Sequence, residues 1–234
     1  MKQFNVPFMG FFLHIPHSST VIPKAVRKTI LLTDEELRAE LLRMTDRYTD
    51  QLFQLPERNT ARVVFPVSRL VVDPERFVDD SIEPMADVGM GAVYTQTSLG
   101  KLLRRPLSAS EREQLLAKYY WTHHATLTQQ VGRTLAHKQY CLIVDCHSFP
   151  SIALPHEPDK DLHRPDICIG TDSFHSPLAL IQLTLKAFEQ QKFSVATNRP
   201  YKGTLVPSEY YKKNKSVWSI MIEVNRKWYM NEET

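Results

Sequence analysis

The sequence predicts an α/β protein built on a mixed, largely parallel sheet, because short apolar runs alternate with longer helix-period segments and several runs end in chemically active residues. Nothing divides the chain. Its 234 residues, 42% of them hydrophobic, are enough to bury one substantial core. Repeats, low-complexity tracts and Ser/Gly linkers are missing from the sequence, so residues 1–234 are expected to form one domain.

The elements follow in order. Residues 10–15, GFFLHI, read as a first strand that stops at Pro16 and opens into a loop carrying His17, Ser18 and Ser19. Thr33 and Glu36 have the spacing of a capping box, and apolar residues recur from Leu37 through Leu52 and Leu55, which predicts a helix over about 34–55. Two strand-like runs come next, 61–65 and 69–73. The aperiodic stretch 74–106 holds Gly89, Gly91 and Gly100, three of only seven glycines, and is expected to be a functional loop. A second capping box, Ser108 to Glu111, starts a helix that runs to about His137. The apolar run 140–144 has the character of a strand covered on both faces. Further strands are expected at 167–169, 193–196 and 217–222, with a helix over about 177–190.

Composition narrows the partners. A net charge of +3 from 29 basic and 26 acidic residues offers no basic footprint for nucleic acid. No apolar stretch is long enough to cross a bilayer, and the start lacks a long apolar run followed by a cleavage site, so the chain reads as cytoplasmic. Cys141, Cys146 and Cys168 lack paired spacing and are expected to be buried thiols.

In open α/β sheets ligands collect at the carboxyl ends of strands. The residues there are His17, Asp73, His147 and Glu223. Histidines and carboxylates suit a catalytic zinc site with three protein ligands and one position left for water. Glu223, ending the last strand, is placed to act on that water as a base. Asp145 is expected to face away from His147 and to serve either as partner to an imidazole or as an internal acceptor. Arg69 and Arg76 flank Asp73, and a guanidinium suits a substrate carboxylate as well as a surface ion pair. Asp46 and Asp50 lie one turn apart on the expected helix, where a carboxylate ordinarily faces water. Of His123 and His124, at most one can point into a site.

Five segments in order, HIPHSS at 14–19, TDRYTD at 45–50, SRLVVDPER at 68–76, DCHS at 145–148 and IEVNRKWYM at 222–230, together with YKG at 201–203, resemble the N-formylglutamate amidohydrolase family over about residues 12–232. That family is similar in fold to zinc carboxypeptidases, which implies a three-layer α/β/α domain with one zinc. The resemblance implies His17, Asp46 and His147 as metal ligands and Glu223 as general base and then acid. It also implies a substrate pocket with Arg69, Arg76, Asp73 and Tyr201. The implied reaction releases formate and glutamate from N-formyl-L-glutamate, a step of histidine breakdown, with Zn²⁺ or another divalent transition metal as the sole cofactor. Family members often carry Asn where this chain has Glu75, and Trp-His where it has Arg47-Tyr48. A charge beside the arginines leaves another N-acyl amino acid or N-acylated peptide fragment as an alternative substrate. Two other classes compete: a silent module that binds an acidic metabolite in the same pocket, and a two-metal phosphate-ester hydrolase, for which too few acids are expected to converge. Oligomeric state is not encoded in these patterns.

Overall fold

A computed structural model describes residues 9–55 and 60–234. The reading of the chain's start as lacking a cleavable leader lies in part on residues 1–8, outside the described residues. Six strands form one mixed sheet: β1 (Met9–Ile15), β2 (Ala61–Val64), β3 (Tyr140–Phe149), β4 (Ile167–Gly170), β5 (Val195–Thr197) and β6 (Val217–Asn225). Their order across the sheet is β2-β1-β3-β6-β4-β5. The first four of these run parallel, β4 turns antiparallel to β6, and β5 follows β4 in parallel. The expected mixed, largely parallel sheet is therefore present, and the parallel block brings the carboxyl ends of β1, β3 and β6 to one edge.

Pleating sorts the side chains by parity. One face buries Phe12, Ile143 and Val217 against Leu127 and Val131 of helix α5 (Thr122–His137). The opposite face buries Ile220 and Ile169 against Leu180 of α6 (Leu178–Gln190). All three cysteines are buried free thiols.

Both capping boxes are formed. After the short α1 (Lys24–Arg27), Thr33 caps α2 (Asp34–Met44), its hydroxyl accepting from the Glu36 amide while the Glu36 carboxylate takes the Thr33 amide. Ser108 does the same for α4 (Ala109–Leu115), and the helix continues through a π-helical segment, Leu116–Trp121, into α5.

Two expected elements differ. The helix predicted over 34–55 ends at Met44; Thr45 is extended, Tyr48 is left-handed at φ 66°, and only a short α3 (Thr49–Leu52) follows. The Asp46 amide binds the His17 carbonyl at 2.9 Å. Its carboxylate is drawn inward by His147 and Arg226, so tertiary bonds replace helical ones here. Leu52 and Leu55, which extended the apolar periodicity, are exposed. Residues 69–71 form a turn and 72–73 no regular element, where a strand was expected; the turn is closed by the Val71 amide on the Ser68 carbonyl at 2.8 Å. Leu70 is buried against Leu37 and Met44 of α2, and Val71 and Val72 against Leu116 and Tyr120 of the π-helical segment, together with loop residues, which gives the same continuous apolar signature as a central strand. The strand predicted at 193–196 forms as the three residues of β5. Other boundaries shift mainly at the functional edge, where β3 continues to Phe149 and β6 to Asn225.

Candidate metal centre and its cavity

The parallel register makes His147 of β3 the neighbour of Glu223 on β6, and Asp145 the neighbour of both His14 on β1 and Met221. Residues two apart share a face, so Asp145 lies on the same side as His147, against the expectation that it faces away. Its Oδ1 sits 2.8 Å from His14 Nδ1 and 3.1 Å from His147 Nε2, and Oδ2 accepts the Leu205 amide. Asp145 thus faces two imidazoles and also accepts an internal amide, so both roles expected for it are present. Behind it, His14 Nε2 lies 2.9 Å from His123 Nε2. His124 instead lines the cavity and bonds the Pro74 carbonyl, so the two adjacent histidines do diverge.

His17 follows β1 in the loop and turns both nitrogens toward acids. Nε2 lies 2.9 Å from Asp73 Oδ1, and Nδ1 lies 3.6 Å from Asp46 Oδ2 with no hydrogen bond. His147 Nδ1 reaches the same Asp46 oxygen at 3.2 Å. Asp46 Oδ1 is held by Arg226 Nη2 at 2.9 Å. Two imidazole Nδ1 atoms thus face one carboxylate oxygen, while their outer nitrogens rest on Asp73 and Asp145. That pattern fits a divalent cation: buried N, N and O donors, each steadied from behind by a further hydrogen bond, and an orphaned nitrogen facing inward.

Glu75 approaches from the other side of the His147 ring, its Oε2 at 3.2 Å from Nε2, and ligand atoms of His17, Glu75 and His147 lie within 4.8 Å of one another. His14, Glu75 and Asp145 meet the same distance criterion. There, however, His14 and Asp145 are already satisfied by each other and by their further hydrogen bonds. Five acids, Asp46, Asp73, Glu75, Asp145 and Glu223, converge, which corrects the expectation of too few.

Electrostatics follow from burial. Burial alone would raise Asp46, but the hydrogen bond from His147 and the positive charge of His17 and Arg226 nearby hold it well below the usual carboxylate range. Burial likewise opposes ionisation of Asp73 and Asp145, and Arg69 with His17, and His147 with His14, overcome it. Burial and Arg69 lower His17, yet Asp73 and Asp46 lift it above its ordinary value; Glu75 and Asp145 do the same for His147 against burial. Glu223 is the exception: burial dominates and pushes it from 4.5 up to about 8, and its Oε2 has no hydrogen-bond partner.

The sign of the pH dependence can be read from these shifts. His17, His147 and Glu223 are all raised, so what they contribute is present at low pH and lost as pH rises through their folded values; the lowered aspartates contribute constantly near neutrality. Metal-free protein is therefore expected to lose thermal stability as pH climbs from 6 to 9. Zinc, replacing the histidine protons, is expected to raise Tm more at pH 8.5 than at pH 6 in scanning fluorimetry, an increment that shrinks with pH being the contrary result.

A cavity of about 1240 Å³ opens over this cluster, lined by His17, Asp46, His147 and Glu223 together with Arg69, Arg76 and Tyr201. Asp73, expected beside substrate, is not among the lining residues. It is fully buried, bonded to His17, to Arg69 at 2.7 Å and to the Tyr94 hydroxyl at 2.6 Å, and so orients His17. The turn at 69–71 makes this i,i+4 ion pair possible, because a strand would carry the two residues apart. Tyr201 donates to Glu157 at 2.7 Å. Sequence reasoning overlooked His14, Tyr94 and Arg226 as parts of the site. His14 had a signal, a histidine inside an apolar strand, and both it and Arg226 lie within segments that carry the family resemblance, whereas Tyr94 carried none in its local pattern.

Together these features define a class: α/β domains that gather histidines and carboxylates at strand ends around a cavity, an arrangement suited to hydrolysis. Among solved structures, N-formylglutamate amidohydrolase from Ralstonia eutropha JMP134 is similar at a TM-score of 0.75 and 22% identity, over 97% of this chain and 86% of that one. The product of gene Atu2144 from Agrobacterium tumefaciens is similar at a TM-score of 0.65 and 19% identity, over 96% and 83%. Among curated proteins none matches the chain. The chain belongs to the N-formylglutamate amidohydrolase family, whose profile matches residues 9–230.

Proposed function

We propose that this protein hydrolyses the amide bond of N-formyl-L-glutamate or a related N-acyl amino acid, using a divalent metal, with zinc the expected ion, held by His17, Asp46 and His147. The observation that carries the reading is the convergence of two histidine Nδ1 atoms on Asp46 Oδ2, with Asp73 and Asp145 on the opposite nitrogens. Glu75 is the rival third ligand. It approaches His147 through Nε2, which Asp145 already occupies, and that favours Asp46.

A cation so placed supplies a polarised carbonyl and a more acidic water. Glu223 is the group available to take the water's proton: it is buried, it lines the cavity, one of its oxygens has no hydrogen-bond partner, and it is raised where Asp46, Asp73 and Asp145 are lowered. Cationic neighbours lower such a carboxyl toward neutrality, where it can accept a proton and return it to the departing nitrogen. Arg69 and Arg76 supply positive charge for a substrate carboxylate, and Tyr201 borders the cavity beside them.

The test is direct. Purified protein is expected to hold one equivalent of metal by elemental analysis and to release free amine from an N-formyl amino acid. Treatment with a chelator is expected to abolish turnover and added zinc to restore it. Tight binding without product at full metal loading would instead identify a silent module for acidic metabolites.

A further inference from the structure

The cavity is larger than a formylated dicarboxylate needs, and its walls differ in character. Ligand pockets commonly enclose about 300–1,000 Å³, and this one is about 1240 Å³. One wall is apolar. Phe77, Ile82 and Trp121 all line it while remaining 59%, 60% and 49% exposed, beside Val78 and Tyr120. The π-helical segment contributes here, with the adjacent Tyr120 and Trp121 both lining the cavity. Exposed apolar side chains grouped at the mouth of a site mark a surface that a ligand covers.

The cationic wall is mostly committed. Arg43 is paired with Glu40 at 3.1 Å, Arg69 with Asp73 at 2.7 Å and Arg226 with Asp46 at 2.9 Å. Arg76 differs: its Nε makes no hydrogen bond, and the acid nearest to it, Asp73 at 3.9 Å, is already engaged. The remaining cavity lysine, Lys202, is exposed to solvent. Glu75 and Asp79 border the cavity on the same stretch of chain as Phe77 and Ile82, and would repel a second carboxylate placed there. One unsatisfied guanidinium next to an apolar wall matches a ligand with one carboxylate and one apolar arm.

We infer that the substrate is an N-acyl amino acid with a single carboxylate, held by Arg76, and a bulky apolar side chain lying against Phe77, Ile82 and Trp121. This rests on the amide-hydrolase reading for its turnover arm only. A dicarboxylate leaves the apolar wall wet and brings its second charge toward Glu75 and Asp79. An aromatic or long aliphatic side chain removes that wall from water.

The experiment compares N-formyl-L-phenylalanine with N-formyl-L-glutamate on zinc-loaded protein. The expected kcat/KM favours the phenylalanine compound by about tenfold or more, the scale on which apolar pockets discriminate. Phe77→Ala, at a half-exposed position outside the core, is expected to bring that ratio down toward one. Equal or better turnover of N-formyl-L-glutamate by the wild type overturns the inference and leaves the hydrolase reading standing. If neither compound is cleaved at full metal loading, the hydrolase reading fails, and calorimetric binding of the same two compounds decides this one. Tighter binding of the phenylalanine compound upholds it, and equal or reversed affinities overturn it.

Discussion

Replacing Glu223 with glutamine is expected to lower kcat by about 10²–10⁴, the usual contribution of a positioned acid–base group, with metal content and KM little changed. The side chain is buried, lines the cavity and leaves Oε2 without a partner, so glutamine fits the same space while losing the ability to take a proton. Folding should not suffer. Ionising this carboxyl inside the protein is unfavourable, as its elevation from 4.5 to about 8 records. Stability tied to that group is therefore full below the ordinary value and lost as pH rises toward 8. Metal-free Glu223→Gln should accordingly melt above wild type at pH 8 and near it at pH 5. A variant that retains kcat within a few-fold, with metal bound, would remove Glu223 from the chemistry.

The second large effect concerns the metal. Asp46→Asn keeps the shape of the side chain and removes the charge that faces both His17 Nδ1 and His147 Nδ1. Metal affinity is expected to fall by more than the roughly 10–100-fold typical of losing an outer partner, with activity falling in step at limiting metal. Glu75→Gln supplies the contrast, since it leaves that donor set whole. Metal titrations followed by calorimetry separate the two: if Glu75→Gln is the one that abolishes binding while Asp46→Asn binds normally, the third ligand is Glu75. The Asp46 change also uncovers Arg226, whose Nη2 it holds at 2.9 Å, so thermal stability should be recorded beside affinity.

The residues that were legible in advance share a property. His17 sits just past β1, and His147 and Glu223 lie among the last residues of β3 and β6, each shortly beyond the point where an apolar run stops. The capping boxes at Thr33 and Ser108 were legible for the same reason, since the partners are three residues apart. The family motifs added Asp46, which spacing alone left on the watery face of a helix.

What escaped the sequence involves partners far apart along it. Asp46 meets His147 across 101 positions and Arg226 across 180, and these bonds end α2 at Met44 although the apolar period continues beyond it. The run 69–73 reads as a strand because periodicity reports only that three residues are buried. Whether sheet neighbours or surrounding helices and loops bury them is invisible locally. Asp145 is a mixed case: its side shared with His147 follows from strand parity, which is local, whereas its bonds to His14 on β1 and to the Leu205 amide are long-range.

The α/β class and the ends of the apolar runs that carry the histidines and Glu223 were readable from the sequence, because these follow from hydrophobic period and local hydrogen bonding. Only the tertiary structure decided which acid faces both histidines, that Asp73 serves His17 rather than substrate, and that the cavity pairs one unsatisfied arginine with an apolar wall. Those are properties of distance and burial, and neither exists until the chain has folded.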